Sequence, residues 1–155
     1  MNILVIGAGQ LGSRHLQSLM KFPARLNIYV VDNSSESLAV SKSRVEEVEN
    51  HSHTEVVYFL NLDEVKDTHF FLTVIATSSA PRLTILSEVL ERFESKNIIL
   101  EKFLFQDIKS YETAKSLISV SKSSVFVNCP LRTYPIFNEI KREIDAEGVP
   151  VSMEY

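Results

Sequence analysis

Three of the four glycines in this 155-residue chain stand in one run, Gly7-Ala8-Gly9-Gln10-Leu11-Gly12, and their spacing suits the binding of a pyrophosphate. Gly7 permits a tight turn after the apolar run that ends at Ile6. Gly9 lets the backbone approach phosphate oxygens, and Gly12 lets the following helix pack close to a sheet. Gln10 and Leu11 lie in the first turn of that helix, where unpaired N–H groups and the positive end of the helix dipole face an anion. Asp32 closes a second β-branched run, twenty residues beyond Gly12, where a carboxylate accepts hydrogen bonds from an adenosine ribose. Its charge opposes a 2′-phosphate, and Asn33, Ser34 and Ser35 bring no arginine to offset it, so NAD is expected over NADP. The plain alternatives are a glycine turn without a ligand and an acid that only caps a turn. Strand, glycines, helix, strand and acid in this order argue against both.

Other chemistry-bearing residues gather at the ends of later apolar runs. Glu101 and Lys102 follow residues 97–100, at the edge where parallel sheets bind ligands. The bland reading is an exposed charged pair. Arg132 either points to the same cleft or covers a helix with its stem. His15 reads as a packed helix histidine, because it sits behind the phosphate loop. His51, His53 and Glu55 have a metal-like spacing but lack a fourth ligand, so no metal is expected. Cys129 has no histidine neighbour to activate it. No Gly-x-Ser-x-Gly run marks a hydrolase serine. Ile6 occupies the place before Gly7 where a methyltransferase would carry an acid.

The elements that must position these residues are legible as alternating periods. Strand-like runs cover residues 3–6, 27–31, 56–59, 70–76, 97–100 and 125–127, several of them apolar at consecutive positions, as in strands covered on both faces. Between them lie helical segments. Leu11, Leu16, Leu19 and Met20 mark the first, and residues 34–43 a polar-faced second. Leu83, Leu86, Leu90 and Phe93 mark a third after hydroxyl caps at Thr77, Ser78 and Ser79 and Pro81 in the first turn. Asp107 caps a fourth that is expected to bury Ile108, Tyr111, Ala114 and Ile118. Pro135 opens a last helix lined by Ile136, Ile140 and Ile144 and closed by Gly148 and Pro150. Strand and helix alternating with short joints give an α/β fold, a doubly wound, mostly parallel sheet in a single domain over residues 1–150. Residues 151–155 alternate like a new strand and are expected to open a further, substrate-binding domain.

Sixteen basic against twenty acidic side chains leave a net charge of −4, which supplies no basic stripe for a phosphate backbone, so nucleic acid is not an expected partner. The apolar stretch at residues 70–76 is too short to span a bilayer. A lone cysteine and no signal-peptide pattern suit a reducing cytoplasm.

Taken together, these motifs resemble the nucleotide-binding half of the Gfo/Idh/MocA oxidoreductases. The resemblance is carried by Gly7 to His15, by Ile75-Ala76-Thr77-Ser78-Ser79, by Leu100-Glu101-Lys102 in place of Glu-Lys-Pro, and by Arg132-Thr133-Tyr134-Pro135 with Lys141. It implies hydride transfer between NAD and a hydroxyl or carbonyl carbon of a small sugar- or cyclitol-like substrate. Thr77, Ser78 and Glu101 would lie on the cofactor and Arg132 on its nicotinamide side. Lys102 would be the catalytic group that holds the substrate oxygen. The family's second domain would supply the substrate wall and any contact between copies, so these residues alone are expected to be inactive. Two departures bear on the site. Phe103 replaces the proline after Lys102, so a trans peptide is expected there. Arg82 stands where the family usually has a histidine. A regulatory nucleotide-sensing module is the rival reading, although it has no use for Glu101, Lys102 and Arg132 at strand tips.

Overall fold

A computed structural model of the chain describes residues 1–50 and 52–147. Six strands form one parallel sheet, β1 (Asn2–Ile6), β2 (Asn27–Val31), β3 (Glu55–Phe59), β4 (His69–Ile75), β5 (Glu94–Leu100) and β6 (Ser124–Val127), in the order β3-β2-β1-β4-β5-β6. Five helices connect or follow them: α1 (Gln10–Met20), α2 (Ser35–Glu46), α3 (Ser79–Arg92), α4 (Ile108–Val120) and α5 (Pro135–Glu147). The strand order reverses between β1 and β4, the point at which doubly wound sheets hold their ligands.

The consecutive apolar positions of β1 divide between two cores. Ile3 and Val5 join Leu16 and Met20 of α1 on one face, while Leu4 and Ile6 join Leu86 and Val89 of α3 on the other. Successive strand side chains point to opposite faces, so a strand buried on both must be apolar throughout. β5 starts three residues earlier than its apolar run, because the polar residues from Glu94 extend the ladder against β4.

Three expectations fail for reasons of geometry. Leu11 is exposed, since five residues separate it from Leu16 and the helix turns it away from the buried stripe. Of the four apolar positions on α4, Ala114 alone is fully buried and Ile118 packs partly against the core. Ile108 is 77% exposed and Tyr111 45%: α4 meets the core through Ala114 and Ile118, and Tyr111 touches the Phe105 ring edge-on. The α3 N-cap is Ser78, but its side chain makes no capping bond. Asp107 does cap α4, accepting from the Ser110 N–H at 3.0 Å, and Ser34 caps α2 through the Ser37 N–H at 3.1 Å. Gly148, Pro150 and the alternation at residues 151–155 lie outside the described residues. No described helix is long and apolar enough to cross a membrane.

Candidate functional site

The site is assembled at the carboxyl ends of the strands. Backbone hydrogen bonds continue past the ladders at these tips: Gly7 N–H to Val31 C=O (2.8 Å), Ala76 N–H to Ile6 C=O (2.8 Å), Glu101 N–H to Ile75 C=O (3.2 Å) and Asn128 N–H to Leu100 C=O (2.8 Å). Asp32, the glycine loop, Thr77, Glu101 and Asn128 therefore stand on neighbouring strand ends.

The three glycines differ in what demands them. Gly7 has φ +92°, and a Cβ there would lie 2.9 Å from the Ala76 carbonyl carbon and the Thr77 nitrogen. At Gly12 a Cβ would meet the Gly7 carbonyl oxygen at 1.7 Å, so close packing of α1 on β1 excludes any side chain. Gly9 is different: a Cβ there would touch nothing within 4 Å. The fold needs no glycine at this position, and the open space lies at the N-cap of α1, whose first-turn N–H groups receive no side-chain cap. An uncapped helix start with a cradle that a Cβ would fill fits a pyrophosphate.

Asp32 is half-buried and fully engaged. Its Oδ2 accepts from the Ala8 N–H at 2.6 Å and its Oδ1 from the Ser34 N–H at 2.9 Å. It therefore braces the glycine loop and turns the chain into α2, and each oxygen retains a lone pair for a further donor. Arg44, absent from the sequence reading, reaches from the last turn of α2 to Gln10 Oε1 (2.9 Å) and Ser13 Oγ (2.6 Å). It steadies the start of α1 beside the loop.

At the other side of β1, Thr77 ends the β4 turn, and its Oγ1 is buried with no hydrogen-bond partner among the described residues. Ser78 beside it is exposed. Glu101 is not an exposed charge. It is 1% exposed, and its Oε1 lies 2.6 Å from both His15 Nε2 and Asn128 Nδ2. A carboxylate only accepts, so His15 carries the proton on Nε2. His15 is thus a partner of Glu101 rather than a packed helix residue. One signal for this was available: His15 follows Gly12 by three positions, and so shares the helix face that Gly12 turns to the sheet. Asn128 carried no sequence signal.

Lys102 is exposed, and its ammonium has no partner among the described residues. The Lys102–Phe103 peptide is cis, contrary to the trans expected without proline. The course of the chain there is set by a tertiary contact: buried Arg82 donates to the carbonyls of Glu101 (2.6 Å), Phe103, Leu104 (3.1 Å) and Thr77. Burial pushes the Arg82 guanidinium below its ordinary pKa, while the Glu101 charge acts in the opposite direction. Arg132 lies in a single 3₁₀ turn (Pro130–Thr133) beyond β6, and its side chain is outside the described part. Cys129, at the start of that turn, is half-exposed and unpaired. His51 also lies outside the described residues, among which no cluster of metal ligands occurs.

Fold and site together define a dinucleotide-binding α/β domain. The chain belongs to the Gfo/Idh/MocA oxidoreductase family, whose NAD-binding Rossmann-fold model matches residues 1–129. Nothing in this match supports a regulatory module. No curated protein matches the chain significantly. Among solved structures it is similar to scyllo-inositol dehydrogenase from Lactobacillus casei with bound NAD(H) and scyllo-inositol (18% identity, TM-score 0.74, covering 96% of this chain and 42% of that one). It is also similar to the WlbA dehydrogenase from Chromobacterium violaceum in complex with NADH and UDP-GlcNAcA (16%, 0.74, 95% and 40%). A third is myo-inositol 2-dehydrogenase from Lactobacillus plantarum (16%, 0.73, 96% and 42%). The chain spans about two-fifths of the length of these neighbours.

Proposed function

We propose that this chain is the cofactor-binding part of a cytoplasmic NAD-dependent dehydrogenase acting on a hydroxyl or carbonyl carbon of a polyhydroxylated substrate. The observation that carries the reading is the placement of two unlike ends on one row of strand tips. Asp32 and the open cradle at Gly9 lie on the β2–β1 side, and an exposed Lys102, without a partner among the described residues, lies on the β5 side. NAD, when bound, supplies the hydride acceptor. Asp32 accepts from the adenosine ribose, the α1 N-terminus holds the pyrophosphate with Gly9, Gln10, Leu11 and Gly12, and Thr77, Ser78 and Glu101 line the nicotinamide half. Lys102 holds the substrate oxygen and eases departure of its proton. Arg132 is assigned to the same, nicotinamide side. The neighbours named above act on inositols or hold a UDP-sugar, which supports a sugar- or cyclitol-like substrate. In this reading residues 151–155 belong to the substrate domain, copies associate through that domain, and the 155-residue chain alone binds cofactor without turnover.

Calorimetry with NAD and NADP tests the first half. Heat with NAD, and weaker or no binding of NADP, is expected. A folded chain that binds neither overturns the reading, and tighter NADP binding overturns the role of Asp32.

A further inference from the structure

Arg82 is 2% exposed and heads the largest fully buried side chains among the described residues. A guanidinium is withdrawn from water only where acceptors replace its hydration. Its four bonded acceptors are all main-chain carbonyls, and three of them flank one residue. Glu101 precedes Lys102, and Phe103 and Leu104 follow it, while Thr77 belongs to the neighbouring β4 turn. Among the described residues, the surroundings of Lys102 offer no other anchor of comparable reach. Phe103 is 83% exposed, and the Lys102 ammonium has no partner among the described residues. Side-chain anchoring stops at Glu101, held by His15 and Asn128. It resumes only with half-buried Leu104 and with Phe105, which is buried against the Tyr111 ring at 5.2 Å between centroids.

We propose that Arg82 is the positioning residue for Lys102. Through the carbonyls on either side of it, the buried guanidinium fixes where the ammonium projects from the β5 tip relative to the β4 turn. The proposal rests on the reading that Lys102 acts at the reacting centre. The competing role is a staple that joins the β4 and β5 loops and leaves Lys102 indifferent. Nη1 alone reaches the three carbonyls around Lys102 while Nη2 reaches Thr77, so the rigid fork spans the β5 and β4 loops together, which the single nitrogen of a lysine on a flexible stem does not.

The experiment uses the full chain with its lysines reductively ¹³C-dimethylated and NAD as the probe. The Lys102 methyl signal is assigned by its loss in Lys102→Arg. Wild type is expected to show a nuclear Overhauser contact between the Lys102 methyls and the nicotinamide ring. Arg82→Met and Arg82→Lys are expected to lose that contact while NAD affinity stays within about twofold, since the pyrophosphate contacts lie elsewhere. If the Arg82 variants melt earlier but keep the Lys102 contact at wild-type strength, Arg82 is only a staple and the proposal is overturned. If wild type binds NAD without the contact, the role of Lys102 fails, and this inference with it. Should Arg82→Met not fold, Arg82→Lys, which keeps the charge, decides the question by the same contact.

Discussion

Asp32 Oδ2 accepts the Ala8 N–H at 2.6 Å, so the acid that closes β2 also holds the first turn of the glycine loop. Brace and ribose acceptor are separable roles. Asp32→Asn keeps one acceptor oxygen for the two N–H groups and loses the charge, so it should relax the preference for NAD over NADP and also lower the melting temperature, because its amide nitrogen cannot accept the second N–H. Asp32→Ala leaves the Ala8 and Ser34 N–H groups without their partner. It should cost about 1–3 kcal/mol of stability as well as NAD affinity. Melting curves and calorimetry on the two variants distinguish the roles.

The glycines should divide by cause. Gly12→Ala drives a Cβ into the Gly7 carbonyl oxygen and should destabilise the chain by about 3 kcal/mol or more. Gly7→Ala adds a positive-φ penalty of about 1–2 kcal/mol to a close approach. Gly9→Ala meets open space and should leave stability within about 0.5 kcal/mol of wild type. Its NAD affinity should nevertheless fall about tenfold, as expected where a ligand rather than the fold requires the glycine. Denaturant titration beside NAD titration reads both effects.

Lys102→Ala should leave melting temperature and NAD affinity unchanged, because the side chain is exposed and has no partner among the described residues. In the enzyme that carries the substrate-binding part, kcat should fall by a factor of about 10² or more. Unchanged kcat would remove Lys102 from the chemistry while leaving the cofactor site intact.

His15→Ala and Asn128→Ala each remove one of two donors from a carboxylate that is 1% exposed. Each should destabilise the chain by about 1–3 kcal/mol. The double variant with Glu101→Gln should show non-additive losses, because all three residues share one network. Strict additivity in a double-mutant cycle would show that the contacts are not energetically coupled.

Tyr29 donates its hydroxyl to Asp67, and this bond with the acid's charge pushes the phenol up from 10.0 to about 12. A group whose folded pKa is raised contributes stability that is complete below its unfolded pKa and is lost as pH rises towards the folded one. Melting temperature should therefore fall between pH 10 and about 12, and Tyr29→Phe should flatten that part of the curve.

Local pattern was enough for the parallel α/β architecture and for setting the glycine loop and Asp32 on neighbouring strand ends. Strand faces repeat every two residues and helix faces every 3.6, and the tasks of Gly7 and Gly12 depend on neighbours a few positions away. By itself, then, the sequence determined the β-α alternation, the glycine loop, the acid at Asp32 and the cap at Asp107. Tertiary structure alone decided the rest. Glu101 meets His15 from 86 residues away, because the strand order carries the β5 tip back beside α1. Arg82 of α3 is buried only because the β5 loop folds over it and supplies carbonyls in place of water. Ile108 and Tyr111 have a core residue's spacing, yet stay exposed because α4 meets the core through Ala114 and Ile118. Periodicity states which side chains share a face. Whether that face is buried, and what it meets, depends on contacts between residues far apart in the chain.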